Sequence, residues 1–265
     1  MKRIEFLDGL RGVAILLVVC YHAFSRWPLI IPYGNSYGDF SFFKYGYLGV
    51  QLFFLISGFV ILMSLEKNKN FLVFIYKRWL RLFPAMLVAT ILIYLTARFL
   101  YERPAGLPNI KSVLPGLIFI EPRWIRTITG LAIPSLEGAF WSLYVEFEFY
   151  FIFGLSFFLL GKEKAIALIF SMFLLFLIGS EFNINILNSI SDYFSFGYFG
   201  WFASGSLAYL YFIYKEKKYL YFSILAGLFE IYQYRNDSKL LLVSIFILSI
   251  FFIPIYFKRT RVLLS

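Results

Sequence analysis

Eight apolar segments follow one another along this chain; a helix needs roughly 20 such residues to cross a lipid bilayer, and only the first and the seventh segments are clearly shorter. Hydrophobic residues fill 61% of the 265 positions and charged residues only 15%. Soluble domains contain roughly 25% charged residues, and a chain of this length cannot bury so much apolar surface in one water-exposed core. The composition therefore predicts an all-α membrane protein and excludes a soluble enzyme and a nucleic-acid-binding domain.

The predicted fold is a polytopic transmembrane helix bundle of about eight spans plus one irregular segment. The predicted spans are Leu10–Phe24, Gly46–Leu65, Phe83–Leu100, Trp141–Gly161, Ala165–Glu181, Phe196–Tyr214, Tyr219–Tyr232 and Leu240–Phe257. Prolines and glycines interrupt Lys111–Gly138, whose apolar runs stay below spanning length. We expect this segment to be re-entrant or interfacial, because irregular backbone is tolerated at membrane depth only where protein covers it.

Basic residues predict how the bundle is oriented. With the N-terminus in the cytoplasm, the inner segments hold 16 lysines and arginines and the outer segments hold 9. Because cytoplasmic loops are enriched in these residues, both termini are expected in the cytoplasm. Phe71–Met86 is expected to be a short cytoplasmic interfacial helix, with Pro84 in the first turn of a new helix that continues as the third span.

The first span contains three polar side chains that form a functional-site hypothesis, since charge is costly in hydrocarbon. Arg11 and His22 are eleven residues apart, so they point in nearly the same direction and are separated by about 16 Å along the helix axis. Asp8 lies one turn before Arg11 and is expected to pair with it. The pattern predicts a cationic site near the cytoplasm and an imidazole farther along the same face, both facing one tunnel.

Each of these side chains also has a simpler interpretation. His22 could be an interfacial histidine bonded to a carbonyl, and Arg11 could be a positive-inside anchor. Histidine is the side chain best suited to proton transfer near neutral pH, which favours a general base. The chain has one histidine and one cysteine, Cys20, so no disulfide framework and no metal site of several such ligands is predicted.

A pair of arginines follows the second span. Arg78 and Arg81 are three residues apart and share one helix face. Guanidinium groups pair well with phosphates, so this pair is a candidate site for a phosphate-bearing ligand. Anchoring to lipid headgroups is the alternative.

The fourth predicted span carries a polar stripe on an apolar helix. Ser142, Glu146 and Tyr150 recur every four residues, whereas Glu148 lies about 160° from Glu146 around the helix. A buried carboxylate must find a cation or become neutral, and the arginines or His22 are available partners. A structural tie between helices is the alternative to a catalytic role for Glu146.

The second span contains small residues that allow close helix approach. Gly49, Ser57 and Gly58 are interpreted as packing positions. Gln51 is expected to donate a hydrogen bond across the bundle.

Four motifs stand in the order in which they occur in acyltransferase family 3, the integral-membrane O-acyltransferases that modify bacterial surface polysaccharides. They are LDGLRG followed by a histidine, GVQLFFLISGF, RWLR before a proline, and WSLYVEFEFY. The sequence resembles this family over residues 3–151 in motifs and over the later spans in hydropathy only. The resemblance implies a single integral-membrane acyltransferase-like domain over residues 1–265, in a bacterial cytoplasmic membrane.

The resemblance also implies transfer of an acyl group, usually acetyl, from cytoplasmic acyl-CoA to a hydroxyl of a cell-surface carbohydrate. The expected partners are acyl-CoA, the carbohydrate acceptor and the lipid bilayer, with no permanently bound cofactor or metal. His22 is then the general base or accepts the acyl group itself, and Glu146 orients the imidazole or balances the arginines. The expected donor-binding residues are Arg11, Arg78 and Arg81. The expected supporting residues are Asp8, Gln51, Trp141, Ser142 and Tyr150.

This sequence departs from the family pattern in three places. Phe147 and Glu148 replace residues of a different polar pattern, and Gln51 stands where an aspartate is common. The sequence ends where the family continues with spans containing a Ser–Tyr–Leu–His-type motif, so a C-terminally incomplete domain is expected. A transporter or glycan flippase with an Arg–His–Glu relay and a non-catalytic scaffold are the alternative functions.

Overall fold

The fold is that of a computed structural model, which describes residues 4–31, 33–100 and 103–262, with side chains as far as Phe257. Arg3, where the family resemblance begins, lies outside these ranges. Within them the regular structure is helical, with five short 3-10 turns and no strand. The α-helices are α1 (Glu5–Phe24), α2 (Gly34–Tyr37), α3 (Ser41–Lys44), α4 (Gly49–Leu65), α5 (Phe71–Thr96), α6 (Val113–Ile118), α7 (Pro122–Thr129), α8 (Trp141–Leu160), α9 (Lys162–Glu181), α10 (Asn185–Tyr193), α11 (Phe199–Tyr214), α12 (Lys217–Tyr232) and α13 (Ser238–Val262).

Six helical segments within the described ranges are long and apolar enough to cross a membrane, which confirms the predicted helical bundle. They are Glu5–Phe24, Gly46–Leu65, Phe71–Phe99, Gly138–Leu160, Lys162–Glu181 and Ser238–Phe257. The other two predicted spans form α11 and α12, which have only 16 residues each. Both pack within the same bundle, and α11 is buried on most of its surface.

One element differs from its prediction. Phe71–Met86 is not a separate interfacial helix, because α5 runs without a break from Phe71 to Thr96 and contains Pro84 in its interior. A side-chain cap at Asn70, whose Oδ1 accepts from the Val73 N–H at 2.9 Å, fixes where this helix begins. The apolar sequence on both sides of Pro84 keeps the helical pattern, and a proline is tolerated inside a transmembrane helix more readily than in a soluble one.

The centre of the bundle is the crossing of α4 and α11. A Cβ added at Gly205 would lie 1.9 Å from the Leu55 carbonyl oxygen, and one added at Gly58 would lie 2.1 Å from that of Phe202. Ser206 donates to the Gly58 carbonyl at 3.0 Å. Small residues therefore bring the two backbones into direct contact, as the sequence predicts for Gly58.

The start of α11 is capped by a side chain from α12. Glu230 is fully buried, and its Oε1 accepts from the backbone N–H of Trp201 at 2.9 Å. Its other oxygen accepts from the Gln233 amide at 2.7 Å. A carboxyl group at a helix N-terminus satisfies free N–H groups, which explains how this polar side chain is accommodated in the core.

The bundle has two ends, which we name by the position of α1. At the proximal end, where α1 begins, Glu66 accepts from Lys162 at 3.2 Å and from the Tyr209 hydroxyl at 2.6 Å. At the distal end, the rings of Trp141 and Tyr198 lie 5.2 Å apart. The long helices therefore alternate in direction, since α4, α8 and α11 begin at the distal end and α9 and α12 begin at the proximal end.

Segment Lys111–Gly138 folds into two short helices that pack on the bundle. The Leu117 carbonyl at the end of α6 accepts from the Trp79 indole of α5 at 3.0 Å. In α7, the Trp124 indole donates to the Tyr193 carbonyl at 3.0 Å. Phe119, between the two, stacks on Phe147 of α8 with ring centroids 5.6 Å apart. Protein contacts thus hold the segment at Leu117, Phe119 and Trp124, whereas residues 126–132 are exposed.

Candidate active site

A polar cluster lies between α4, α5 and α8. Glu146 Oε1 accepts a hydrogen bond from the Tyr150 hydroxyl at 2.5 Å and a further one from Ser57 of α4. The predicted stripe on α8 therefore faces the bundle, and Glu146 connects two helices. Ser142, one turn before Glu146 on the same helix, is half-buried.

Arg78 places a guanidinium group next to this carboxylate. Only 9% of Arg78 is exposed, and its carbon Cζ lies 5.9 Å from the centre of the Tyr150 ring. Glu146 attracts this charge, whereas Arg11 and Arg81 repel it. Its Nε and Nη1 are buried and find no hydrogen-bond partner among the described residues. The site therefore holds a buried cation with donors to spare, which suits an anionic ligand.

The other two predicted arginines act electrostatically on Arg78. Arg11 pairs with Asp8 at 2.8 Å, which confirms the pairing predicted from their spacing, and 29% of its side chain is exposed. Arg81, one turn after Arg78 on α5, is exposed. The three predicted phosphate-binding arginines thus contribute to one region of positive potential.

His22 lies near the other end of α1, in a different environment. It is half-buried and lines a distal cavity of about 220 Å³ together with Tyr47, Trp141, Arg26 and Gly138. Its ring centroid lies 5.7 Å from that of Trp27. The imidazole therefore faces a cavity rather than lipid.

A second, larger cavity adjoins the first at the distal end. Its volume is about 710 Å³, and it shares Tyr47, Gly138 and Trp141 with the cavity of His22. Gln51 is buried at its wall, and with its amide oriented to satisfy both groups its nitrogen donates to the Tyr47 and Leu48 carbonyls at 3.2 Å each. Burial raises the pKa of the nearby Tyr234 hydroxyl well above its ordinary value, so this group stays protonated and available as a donor.

The predicted site residues therefore form two groups rather than one. The group around Arg78 contains Asp8, Arg11, Arg81, Glu146 and Tyr150, of which Glu146 lies nearest the distal end, five residues after the distal Trp141. The distal group contains His22, Gln51 and Trp141. Glu146 attracts the charge of Arg78, so of the partners considered for it the structure shows an interaction with Arg78. None of the three arginines lines the cavity that contains His22.

Two residues that shape these sites, Ser57 and Arg103, could not be identified from the sequence. Ser57 is in a small-residue motif that predicts packing, yet it donates to Glu146. Arg103 pairs with Glu137 at 2.8 Å and donates to the Leu136 carbonyl at 2.7 Å, which holds in place the irregular segment before Gly138. Arg103 and Glu137 are 34 positions apart in irregular segments, so no periodicity signals their contact. No group of three metal-ligating side chains occurs in the described part of the chain.

Comparison with known proteins agrees with the motifs. A family model described as an acyltransferase domain, that of acyltransferase family 3, matches residues 4–260. The chain is 28% identical over 163 residues to the peptidoglycan O-acetyltransferase OatA of Listeria monocytogenes, covering 57% of this chain and 24% of the relative. It is 28% identical over 184 residues to the O-acetyltransferase OatA of Staphylococcus aureus, covering 65% of this chain and 28% of the relative.

A phage protein is a third relative. The O-acetyl transferase of Shigella phage Sf6 is 30% identical over 185 residues, covering 68% of this chain and 54% of the relative. The matched region thus spans about a quarter to a half of these relatives. No solved structure matches the chain. With a family match over nearly the whole of its length, this multi-pass membrane protein belongs to acyltransferase family 3.

Proposed function

We propose that this protein is a membrane O-acyltransferase that moves an acetyl group from acyl-CoA to a hydroxyl of a cell-surface carbohydrate. The observation that carries the proposal is the placement of two side chains of α1. Arg11 lies in a cluster of guanidinium groups, and His22 lines a cavity at the opposite end of the helix. Family membership and the names of the relatives support the reaction class.

In this proposal the arginines bind the donor. Arg78 offers buried N–H groups without partners in the described chain, and Arg11 and Arg81 add positive charge at the same end. Guanidinium groups pair with phosphates through charge-assisted hydrogen bonds. The extended pantetheine arm of acyl-CoA would then follow α1 for about 16 Å, the rise of eleven helical residues.

His22 is proposed as the general base. It takes the proton of the acceptor hydroxyl while the hydroxyl oxygen attacks the thioester carbonyl carbon. A C–O bond forms, the C–S bond breaks, and the coenzyme A thiolate leaves. The imidazolium then returns the proton to the thiolate, so the products are an O-acyl ester and free coenzyme A.

The orientation follows from the same proposal. We place the protein in a bacterial cytoplasmic membrane with both termini and the proximal end in the cytoplasm, where acyl-CoA is made. The bias of basic residues toward that side supports this orientation. The distal cavities would then open toward the outer surface, where the acceptor is handled.

The test is acyl transfer from labelled acetyl-CoA to membrane glycans in proteoliposomes. We expect His22→Ala to lower transfer by about 100-fold or more, the usual contribution of a general base. Cys20→Ala is the matched control, because Cys20 is a half-buried residue two positions away on the same helix. Equal transfer by His22→Ala and the parent protein would remove His22 from the chemistry, and absence of transfer from acetyl-CoA by the parent would refute the proposed reaction.

A further inference from the structure

Two buried polar side chains near the larger distal cavity find no hydrogen-bond partner among the residues that the structure describes: Ser191 lines the cavity, and Glu148 lies beside it without lining it. Ser191 is 2% exposed and lines the cavity, and its hydroxyl finds no hydrogen-bond partner within the described ranges. Glu148 is 8% exposed, and neither carboxylate oxygen has a partner there. Ser195 of the cavity wall is close to this carboxylate without meeting hydrogen-bond geometry. A buried polar group without a partner is costly, so these positions favour a polar ligand.

The walls of the cavity offer flat aromatic surfaces beside hydrogen-bonding groups. Trp141 and Tyr198 form one wall, with ring centroids 5.2 Å apart, and the hydroxyls of Tyr144 and Ser135 interact at 2.9 Å. Tyrosine and tryptophan combine an apolar face with a polar edge. A pyranose ring has the same division, with an apolar C–H face and a rim of hydroxyls. The volume of about 710 Å³ lies within the range of small-molecule sites, about 300–1,000 Å³.

Two carboxylates and one guanidinium line the cavity, so its charged lining residues have a net charge of −1. Its charged lining residues are Glu121, Arg123 and Asp192, and Arg123 is paired with Glu121 at 3.1 Å. Asp192 is exposed at the rim, and no salt bridge to it is found within the described ranges. The smaller cavity adds Arg26 at its own edge, beside Trp27. An anionic ligand in the larger cavity would therefore meet the like charge of Asp192.

We infer that the larger distal cavity is the acceptor subsite and that it takes a neutral or amine-bearing sugar in preference to an acidic one. This inference rests on the proposed acyltransferase function, because it assigns the acceptor of that reaction to a class of carbohydrate. The shared walls at Tyr47, Gly138 and Trp141 bring a sugar in this cavity next to the cavity of His22.

Gly138 provides a way to test the assignment without disturbing the core. A Cβ added at Gly138 would meet no atom within 4 Å, and the residue lines both distal cavities. A larger side chain at this position is accommodated in the open space of the junction. Gly12→Leu is the matched control, because Gly12 is exposed on α1 and an added Cβ there also meets no atom within 4 Å.

The experiment measures sugar binding to the full chain in lipid nanodiscs by calorimetry, without acyl-CoA. The probes are chitotriose, which is neutral, the glucosamine trimer, which is cationic, and trigalacturonic acid, which is anionic. We expect the neutral and cationic trimers to bind about tenfold or more tightly than the anionic one. Gly138→Leu is expected to weaken chitotriose binding by about tenfold, while Gly12→Leu changes it less than about twofold.

The charge argument has its own variant. Asp192→Asn is expected to reduce the ratio of the trigalacturonic acid Kd to the chitotriose Kd by about threefold. Asp39→Asn is the control, because Asp39 is a fully exposed carboxylate at the distal end that does not line the cavity. Equal binding of the three trimers, tighter binding of the anionic one, or binding of none of them would overturn the inference.

The inference and the proposed function fail separately. If acetyl transfer occurs but Gly138→Leu leaves the acceptor KM unchanged, the acceptor subsite is elsewhere and the reaction stands. If the trimers bind in the expected order but no acetyl transfer is seen, the sugar site stands and the reaction does not. Unchanged chitotriose binding in a folded Gly138→Leu protein removes the cavity from acceptor binding in either case.

Discussion

The buried guanidinium group of Arg78 has hydrogen-bond donors that its described surroundings do not use. The Phe74 and Tyr150 rings lie 5.6 Å and 5.9 Å from its guanidinium carbon, and Glu146 is bonded to Tyr150 and Ser57. Two buried nitrogens are left without partners in the described residues. A structural salt bridge would saturate the guanidinium, so this arrangement is better explained by a ligand that completes it.

Replacing Arg78 separates donor binding from acceptor binding. We expect Arg78→Ala to raise the KM for acetyl-CoA by about 10- to 150-fold, since hydrogen bonds to charged groups are worth about 1.5–3 kcal/mol. The KM for the acceptor is expected to stay within about twofold. Arg78→Lys is expected to restore part of the donor affinity, because an ammonium retains the charge without the planar fork.

Lys77→Ala is the control for this comparison, because the neighbouring Lys77 is exposed and bonds to Asn68 at 2.9 Å. An Arg78→Ala variant whose acceptor KM rises while its acetyl-CoA KM stays constant would contradict the phosphate assignment. Steady-state kinetics with each substrate varied in turn distinguishes the two outcomes.

At the scale of single residues, spacing within one helix was informative and contacts between helices were not. The Asp8–Arg11 pair and the Glu146–Tyr150 bond follow from three- and four-residue spacing. Ser57 is 89 positions from Glu146, so only the packing of α4 on α8 brings them together. The assignment of Glu146 to Arg78 rather than to His22 also depends on that packing.

The α4–α11 crossing is the element pair that tolerates least change. An alanine at Gly205 would place its Cβ 1.9 Å from the Leu55 carbonyl oxygen, which is backbone and cannot rotate away. We expect Gly205→Ala to lower the free energy of unfolding by about 1–3 kcal/mol, as overpacking does. Thermal unfolding in detergent, followed by tryptophan fluorescence, measures the change.

Gly12→Ala supplies the comparison, because its added Cβ meets nothing and alanine favours a helix by about 0.5–1 kcal/mol over glycine. The expected order of unfolding temperatures is thus Gly12→Ala at or above the parent protein and Gly205→Ala below it. Identical unfolding temperatures for all three proteins would show that the two backbones do not touch.

The Arg103–Glu137 pair acts on the segment that separates the two distal cavities. Arg103 is bonded both to Glu137 and to the Leu136 carbonyl, directly before Gly138. We expect Arg103→Ala to speed hydrogen exchange at residues 135–140 by about tenfold or more, because a part-buried carboxylate and a carbonyl lose their donor. Arg98→Ala, at an exposed arginine nearby, is expected to leave this exchange unchanged. Equal exchange rates at residues 135–140 in the two variants would show that Arg103 does not hold this segment in place.

The bounds of the helices could be predicted where an apolar run is continuous, but not where a proline interrupts it. Apart from α5, the apolar runs locate the long helices to within about five residues, since length and apolarity suffice for a membrane helix. Pro84 suggested a helix boundary, whereas α5 continues through it. The 16-residue α11 reads as a span from its apolarity, yet it is a shorter, largely buried helix at the centre of the bundle.

At the scale of the whole molecule, alternation of the helices puts the predicted chemistry at two ends. The arginines lie toward the proximal end and His22 at the distal end, so a donor and an acceptor would arrive from opposite sides. The apolar composition predicts a helix bundle, but it does not indicate which end of the bundle faces the cytoplasm. The distribution of basic residues, 16 against 9, is the part of the sequence that distinguishes the two sides.

Orientation is tested with single cysteines in intact bacterial cells. In a Cys20→Ser background, Leu29→Cys introduces a thiol at a distal position that is 93% exposed, and Lys69→Cys introduces one in the exposed proximal loop between α4 and α5. A membrane-impermeant maleimide is expected to label Leu29→Cys in intact cells and Lys69→Cys only after permeabilisation, because charged reagents do not cross the bilayer. The reverse pattern would place the arginines on the outer surface, away from cytoplasmic acyl-CoA, and the donor assignment would fall with it.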